Sequence, residues 1–222
     1  MPLVVAAVGV VCVVLGFSRI GSDYRYQRVA GETMSPELRP GEQIVTTPVR
    51  PAEVTRGEVY TVDSPWTMTG PVLQRVMALG GDHFACVAGR LTLNGQPLDE
   101  PESRQLGSCS IGFDVTVPQG RAFLMGDRRF DAFDSRLNLD DQQGTVDLAK
   151  VDRRVVWHSG AKASPPGTLV GAAVLTGVGF LVFVAGLITS IVAAVVRRRR
   201  RRRAVAQPDT GAAERWPGRA VA

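Results

Sequence analysis

The chain has 222 residues, of which 45% are hydrophobic and 21% charged, and this balance excludes a wholly disordered protein. Its three cysteines are too few for a disulfide-rich scaffold. The formal net charge is +5, but residues 197–222 carry nine Arg against Asp209 and Glu214, which leaves residues 1–196 at −2. Because only the tail is basic, we expect no nucleic acid to bind the folded part of the chain.

The first predicted element is an apolar segment over residues 3–17, which contains no charged residue. Its length is marginal for a membrane span, which needs about 20 residues, and fits the core of a signal peptide almost as well. No basic residue precedes it and no clear small-x-small cleavage site follows, so we favour an uncleaved membrane anchor. Arg19, Arg25 and Arg28 come next, and they oppose the rule that basic residues mark the cytoplasmic side.

Residues 18–158 are predicted to form a mostly β, antiparallel domain. Short β-rich runs recur there between glycine, proline and aspartate breaks, and helical periodicity is scarce. Asn94-Gly95 between two of these runs is typical of a β-hairpin. The predicted strands cover residues 43–47, 58–62, 72–78, 84–87, 91–93, 115–117, 122–125 and 155–158.

Two cysteines, Cys86 and Cys109, lie in the predicted β domain. If this domain is outside the cytoplasm, oxidation is permitted, and a disulfide would close a loop of about 22 residues, worth roughly 3.5 kcal/mol. Two separate buried thiols are the alternative. Cys12 lies in the first apolar segment and is interpreted as a small hydrophobic residue.

A linker over residues 159–168 leads into a predicted transmembrane helix over residues 169–196, since 167–196 holds no charged residue. Seven consecutive arginines, 197–203, open a basic tail that covers 197–222. Such a cluster marks the cytoplasmic side of a membrane span, which places the β domain outside. An RNA-binding tail is the alternative, but no aromatic residue interrupts the arginines.

Four short motifs occur in order along residues 25–160. They read GETMSPEL at 31–38, RGEV at 56–59, QRVMALGGD at 74–82 and GDRRFDAFDSR at 126–136. Together they resemble the motifs of bacterial type I signal peptidases. That resemblance implies an antiparallel β-sheet domain between two transmembrane helices, in the bacterial plasma membrane. It also implies a Ser/Lys serine endopeptidase that needs no cofactor or metal, and signal peptides of exported preproteins as partners.

The departures from the family pattern lie at the positions that carry chemistry. The resemblance aligns the nucleophilic serine with Thr33, the general-base lysine with Gln74, and the serine that orients the lysine with Ala132. It implies a substrate-binding or oxyanion role for Gly31, Met34 and Pro36. It also implies structural ion pairs among Arg75, Asp127, Asp134 and Arg136.

A hydroxyl is a poor nucleophile unless a nearby base takes its proton. An amide such as that of Gln74 accepts a hydrogen bond but is not basic. Lys150 and Lys162 lie outside the motifs, whereas His83 follows the third motif and His158 is near the linker. These histidines are minor candidates for a replacement base. Ser35 is a minor candidate for a shifted nucleophile, because its spacing from Thr33 predicts that both share a strand face.

Three functional hypotheses remain open. The first is a signal-peptidase-like membrane protein that recognises signal peptides without ordinary Ser/Lys catalysis. The second is an active signal peptidase that uses Thr33 with an unrecognised base. The third is a non-enzymatic membrane interaction protein that no longer binds signal peptides.

Overall fold

The computed structural model describes residues 2–67, 70–101 and 108–205. This part of the chain holds two long helices, α1 (Pro2–Asp23) and α2 (Gly167–Val205). Between them lie the strands β1 (Arg25–Arg28), β2 (Gln43–Pro48), β3 (Val59–Val62), β4 (Val72–Leu79), β5 (His83–Val87), β6 (Arg90–Leu93), β7 (Gln96–Pro97), β8 (Asp114–Thr116), β9 (Arg121–Met125), β10 (Thr145–Asp147) and β11 (Val151–His158).

The strands form two antiparallel sheets, which confirms the predicted mostly β class. The larger sheet has the strand order β1-β2-β11-β3-β4-β9-β10, and the smaller sheet has the order β7-β6-β5-β8. Asn94 and Gly95 both have positive φ angles and join β6 to β7, as the Asn-Gly signal predicts. In the larger sheet, β1 and β10 are the edge strands, so each has one side without a strand partner among the described residues.

The smaller sheet packs on an aromatic core. Phe84, Phe113 and Phe123 have ring centroids 5.0–5.3 Å apart, and all three are buried. Cys86 and Cys109 are joined by a disulfide beside this core, with a sequence separation of 23 residues. A second cluster, around Tyr60 and Leu124, stabilises the larger sheet.

We expect loss of the disulfide to destabilise the β domain substantially. A Cys86→Ser/Cys109→Ser variant should lose roughly 3 kcal/mol of unfolding free energy, because the crosslink no longer restricts a loop of 23 residues in the unfolded chain. Denaturant titration of the purified full chain measures this loss. Cys12→Ser, which leaves the crosslink intact, is the control, and equal stability of the two variants would contradict the expectation.

The structure adds strands that the sequence patterns did not indicate. β1 has the sequence RYQR, without apolar alternation, and it is an edge strand with mostly exposed side chains. β11 begins at Val151 instead of residue 155, and its early part contains exposed and buried charged residues. The strand predicted over 115–117 covers Asp114–Thr116, and Val117 leaves it to donate a backbone hydrogen bond to Asp82.

Residues 2–18 and 172–205 belong to a helical unit that is separate from residues 19–171. Both helices are apolar and long enough to cross a membrane. They approach closely at glycines: a Cβ at Gly9 would lie 2.5 Å from Phe183 N, and a Cβ at Gly186 would lie 2.7 Å from Ala6 N. Small residues at such contacts are typical of membrane helix pairs. α2 continues beyond residue 196 into the arginine run.

Candidate active site

The first motif forms a turn between β1 and β2. Ser35 N donates to Glu32 O (2.9 Å) and Leu38 N donates to Met34 O (2.9 Å), so the segment is folded back and not extended. Thr33 is half-buried in this turn. The expectation that Ser35 and Thr33 share a strand face is therefore wrong, since the turn removes the alternation on which it depended.

The turn meets the fourth motif at Gly126. Arg128 N donates to Thr33 O at 2.9 Å, which joins the two segments through their main chains. A Cβ at Gly126 would lie 2.5 Å from Ala132 Cβ and 2.7 Å from Thr33 Cγ2, so only glycine fits. The Thr33 methyl thus faces Gly126 and Ala132. The Thr33 hydroxyl lies towards Gly31, 3.9 Å from the place of a Cβ at that glycine.

Gln74 lies in β4 opposite Tyr60, and only 1% of it is exposed. Its Nε2 donates to Phe133 O at 3.0 Å, which ties β4 to the fourth motif. Its Oε1 is buried and has no hydrogen-bond partner among the described residues. The hydroxyl of Thr33 therefore makes no hydrogen bond to Gln74. An unpaired buried amide oxygen carries a desolvation penalty, and it cannot store a proton.

Two buried ion pairs lie beneath these residues. Arg75, in β4, donates to both carboxylate oxygens of Asp127 at 2.8 and 2.6 Å, and to Glu37 at 2.9 Å. Burial disfavours the charge of Arg75, but the hydrogen bond and the charge of Asp127 outweigh it and raise the pKa of Arg75. Arg136 binds Asp134 at 2.8 Å, and Asp134 Oδ2 also accepts from Gly126 N at 3.1 Å.

An exposed ion-pair group, which the sequence analysis missed, joins the two motifs above Thr33. The guanidinium of Arg128 contacts the carboxylates of Glu32 and Asp131. The Arg128–Asp131 distance is 2.8 Å. The sequence signal was an arginine at 128 with a carboxylate three residues later, at Asp131, but its pairing with Glu32 depends on the tertiary fold.

A cavity of about 360 Å³ opens beside Thr33. Its walls are residues 27–31 on one side and residues 71–73 on the other. β1 is an edge strand, and β4 pairs with β9 only from Arg75 onward, so residues 72–74 also have a free side among the described residues. An extended peptide can add its backbone to such edges. Residues 27–31 lead into the first motif, and residues 71–73 directly precede the third. The motif pattern did not mark either stretch as part of a site.

Not all of the residues expected to bind substrate line the cavity. Gly31 and Met34 line the cavity, although the Met34 side chain is almost fully buried and packs with Leu38 and Ile44. Pro36 is exposed in the turn and is not part of the cavity wall. A direct contact of Pro36 with a bound peptide therefore has no support in this cavity.

Three of the four alternative bases are engaged in ion pairs elsewhere, and the fourth, Lys162, is exposed. His83 begins β5 and its Nε2 lies 2.5 Å from Asp114, whereas His158 lies 3.1 Å from Glu42. Lys150 pairs with Asp63 at 3.0 Å. Lys162 is exposed in the segment before α2. Within the described residues, none of these four groups makes a hydrogen bond or ion pair with Thr33 or Gln74.

The fold and this site define a β-rich protein with two helices apolar and long enough to span a membrane, in which Thr33, Gly126 and Ala132 meet beside a cavity. A profile of the family described as "Signal peptidase, peptidase S26" matches residues 2–158. The chain belongs to this family.

Several relatives carry signal peptidase names. The chain is 34% identical over 113 residues to a probable signal peptidase I of Mycobacterium leprae (strain TN), a match that covers 39% of each protein. It is 28% identical over 143 residues to signal peptidase I V of Bacillus subtilis (strain 168), which covers 58% of this chain and 84% of that protein. The chain thus spans 39% of the length of the mycobacterial relative.

Among solved structures, a signal peptidase I from Enterococcus faecalis V583 is similar to this chain at 23% sequence identity. The match has a TM-score of 0.36 and covers 44% of this chain and 92% of that one.

Proposed function

We propose that this chain binds the signal peptides of exported preproteins and does not hydrolyse them by ordinary Ser/Lys chemistry. Its β domain faces the outside of a bacterial plasma membrane, and its arginine-rich end lies in the cytoplasm. The observation that carries the proposal is the side chain of Gln74, a buried amide at the position of the general base, whose Oε1 has no hydrogen-bond donor among the described residues.

Within the described residues, no histidine or lysine makes a hydrogen bond or ion pair with Thr33 or Gln74. A general base must approach the hydroxyl within about 2.6–3.2 Å, and its removal typically lowers the rate by 10²–10⁴-fold. His83, His158 and Lys150 are held in other ion pairs, and Lys162 is exposed in the segment before α2. Thr33 also directs its methyl group towards Ala132, which has no hydroxyl to orient a base.

Peptide binding makes different demands from hydrolysis. It uses main-chain hydrogen bonds at a strand edge and apolar walls for alternate side chains. The cavity between residues 27–31 and 71–73 lies beside free strand edges, and its lining includes the apolar residues Val29, Ile44 and Leu73. The groove therefore supports recognition although the base position holds an amide.

Filling the groove should abolish peptide binding. In an Ala30→Trp variant of the full chain, we expect photo-crosslinking to an exported precursor to fall at least about tenfold, because the indole takes up cavity volume and blocks the strand edge. Ala30 is exposed, so the fold should tolerate the change. Ala52→Trp places the same side chain on an exposed 3₁₀ turn remote from the cavity, and it is the matched control.

Equal crosslinking of the two tryptophan variants would contradict binding in this groove. No crosslinking by the unaltered chain would favour the third hypothesis, a membrane protein that no longer recognises signal peptides.

A working Thr33 endopeptidase is the second candidate, and it is favoured by the free hydroxyl of Thr33 on the Gly31 side of the cavity. Incubation of the purified full chain with a precursor distinguishes peptide binding without hydrolysis from hydrolysis by Thr33. No mature product is expected. Product that disappears in Thr33→Ala would establish the second candidate and overturn the proposal.

A further inference from the structure

Three arginines in or near the C-terminal end of α1 do not line the cavity beside Thr33. They are Arg19, Arg25 and Arg153, which we name the juxtamembrane arginine cluster. Arg19 is in the last part of α1, Arg25 opens β1, and Arg153 lies in β11. Within the described residues, none of the three forms an ion pair, whereas Arg75, Arg129 and Arg136 all do.

Arg153 is the buried member of the cluster, with 5% of the residue exposed. Its Nε donates to Thr46 Oγ1 at 3.0 Å, and its Nη2 donates to Thr46 O (3.0 Å) and Asp23 O (3.3 Å). The Asp23 carbonyl ends α1, and a cation at a helix C-terminus is favourable. The Nη1 group has no acceptor among the described residues, so its donors are available to an external anion.

Arg25 adds a second charge at the same place. Arg25 and Thr46 are directly opposite partners in the β1–β2 pair, so Arg25 is on the sheet face that carries the Thr46 contact with Arg153. Burial lowers the pKa of Arg153, and repulsion from Arg25 lowers it further. Attraction by Asp152 is the smallest of the three effects. Two close cations without a carboxylate partner fit an anionic ligand.

The position of the cluster along the chain indicates the source of that anion. The apolar segment of α1 ends at Phe17, so Arg19 follows by about 3 Å and Asp23 by about 9 Å along the helix axis. The polar layer on each side of a bilayer core is roughly 5–8 Å thick. Tyr24 and Thr168, at the end of α1 and the start of α2, share a 2.5 Å hydrogen bond next to this point. Within residues 19–171, the segments that adjoin α1 and α2 therefore lie beside the cluster.

We propose that the juxtamembrane arginine cluster binds the phosphate of anionic phospholipid headgroups in the outer leaflet. This contact accounts for arginines that oppose the charge rule for membrane orientation. Arg25 is in β1. The end of β1 and the residues after it, 27–31, form one wall of the cavity. Lipid binding therefore holds that wall at the membrane surface, independently of which peptide enters the groove.

Arginine footprinting tests the proposal residue by residue. The full chain is placed in nanodiscs of phosphatidylcholine alone, or of equal parts of phosphatidylcholine and phosphatidylglycerol, and phenylglyoxal modification of each arginine is measured by mass spectrometry. We expect phosphatidylglycerol to slow modification of Arg19 and Arg25 by about fivefold each, the factor that corresponds to one arginine at an anionic surface. Arg39 and Arg90, exposed and without ion pairs among the described residues, are internal controls that should not change.

Three outcomes would overturn the proposal. The first is equal reactivity of Arg19 and Arg25 in the two lipids. The second is equal protection by inorganic phosphate added to phosphatidylcholine nanodiscs, which would identify a free anion as the ligand. The third is loss of protection when residues 197–203 are all changed to glutamine, which would show that the C-terminal arginines cause the effect. Protection that survives this change supports the cluster.

Discussion

Thr33→Ser, Gln74→Lys and Ala132→Ser, combined in one variant, should give the chain measurable endopeptidase activity on an exported precursor. We expect a rate at least about a hundredfold above that of the unaltered chain, which is the low end of the contribution of a positioned general base. Gel analysis of precursor and mature product over time measures the gain. This is the largest change in activity that the structure leads us to expect.

The structural reason is that the surroundings of position 74 suit a lysine base. The site is buried, which would lower the pKa of a lysine there towards neutrality. Phe133 O already accepts from Gln74 Nε2 at 3.0 Å and could accept from an ammonium group in the same way. Serine at 33 removes the methyl group that faces Ala132, and serine at 132 supplies a hydroxyl on that side.

The control is the double variant Thr33→Ser/Ala132→Ser, which lacks the base and should stay inactive. A triple variant that is folded, as judged by its circular dichroism spectrum and unfolding transition, but still inactive would contradict the idea that the site retains a catalytic geometry. Activity of the double variant would instead show that a base other than position 74 is present.

Asp127→Ala should destabilise the β domain by about 3–5 kcal/mol, the usual cost of removing one partner from a buried ion pair. Arg75 is only 4% exposed and would keep just the partly exposed Glu37 as a charged partner. Its other hydrogen bond runs to the Gly57 carbonyl, which cannot neutralise the charge. Denaturant unfolding of the full chain, followed by circular dichroism, measures the loss.

Asp63→Ala removes a carboxylate from an exposed pair with Lys150 and is the matched control. Surface pairs contribute about 0–1 kcal/mol, so we expect a small change there. A loss in Asp127→Ala no larger than that in Asp63→Ala would show that the Arg75–Asp127 pair is not essential to the stability of the domain.

The sequence was most informative where local rules determine structure. The antiparallel β class followed from short β-rich runs and turn residues, and the Asn94-Gly95 hairpin followed from the positive φ angles that these residues tolerate. The order of the motifs also identified Thr33, Gln74 and Ala132 as the candidate catalytic positions. Thr33 and Ala132 meet at Gly126, and Gln74 reaches the fourth motif through Phe133.

Other features depend on contacts between distant segments and had no local signal. β1 has no apolar alternation, because an edge strand with exposed side chains does not require it. Ser35 was assigned to an extended segment, but a Ser35–Glu32 backbone hydrogen bond folds the motif into a turn. Arg153 lies outside the strand predicted over 155–158, and its burial against Thr46 and Asp23 had no local signal because it joins positions more than a hundred residues apart.

The bond from Arg128 N to Thr33 O is made by main-chain atoms, and the same Thr33 carbonyl oxygen is the main-chain atom that lies close to Gly126. Replacing a side chain at position 33, 74 or 132 leaves these contacts in place. A lineage could therefore switch hydrolysis off, or regain it, through a few point mutations without passing through an unfolded ancestor. Inactive and active forms of this architecture would then be close neighbours in sequence space.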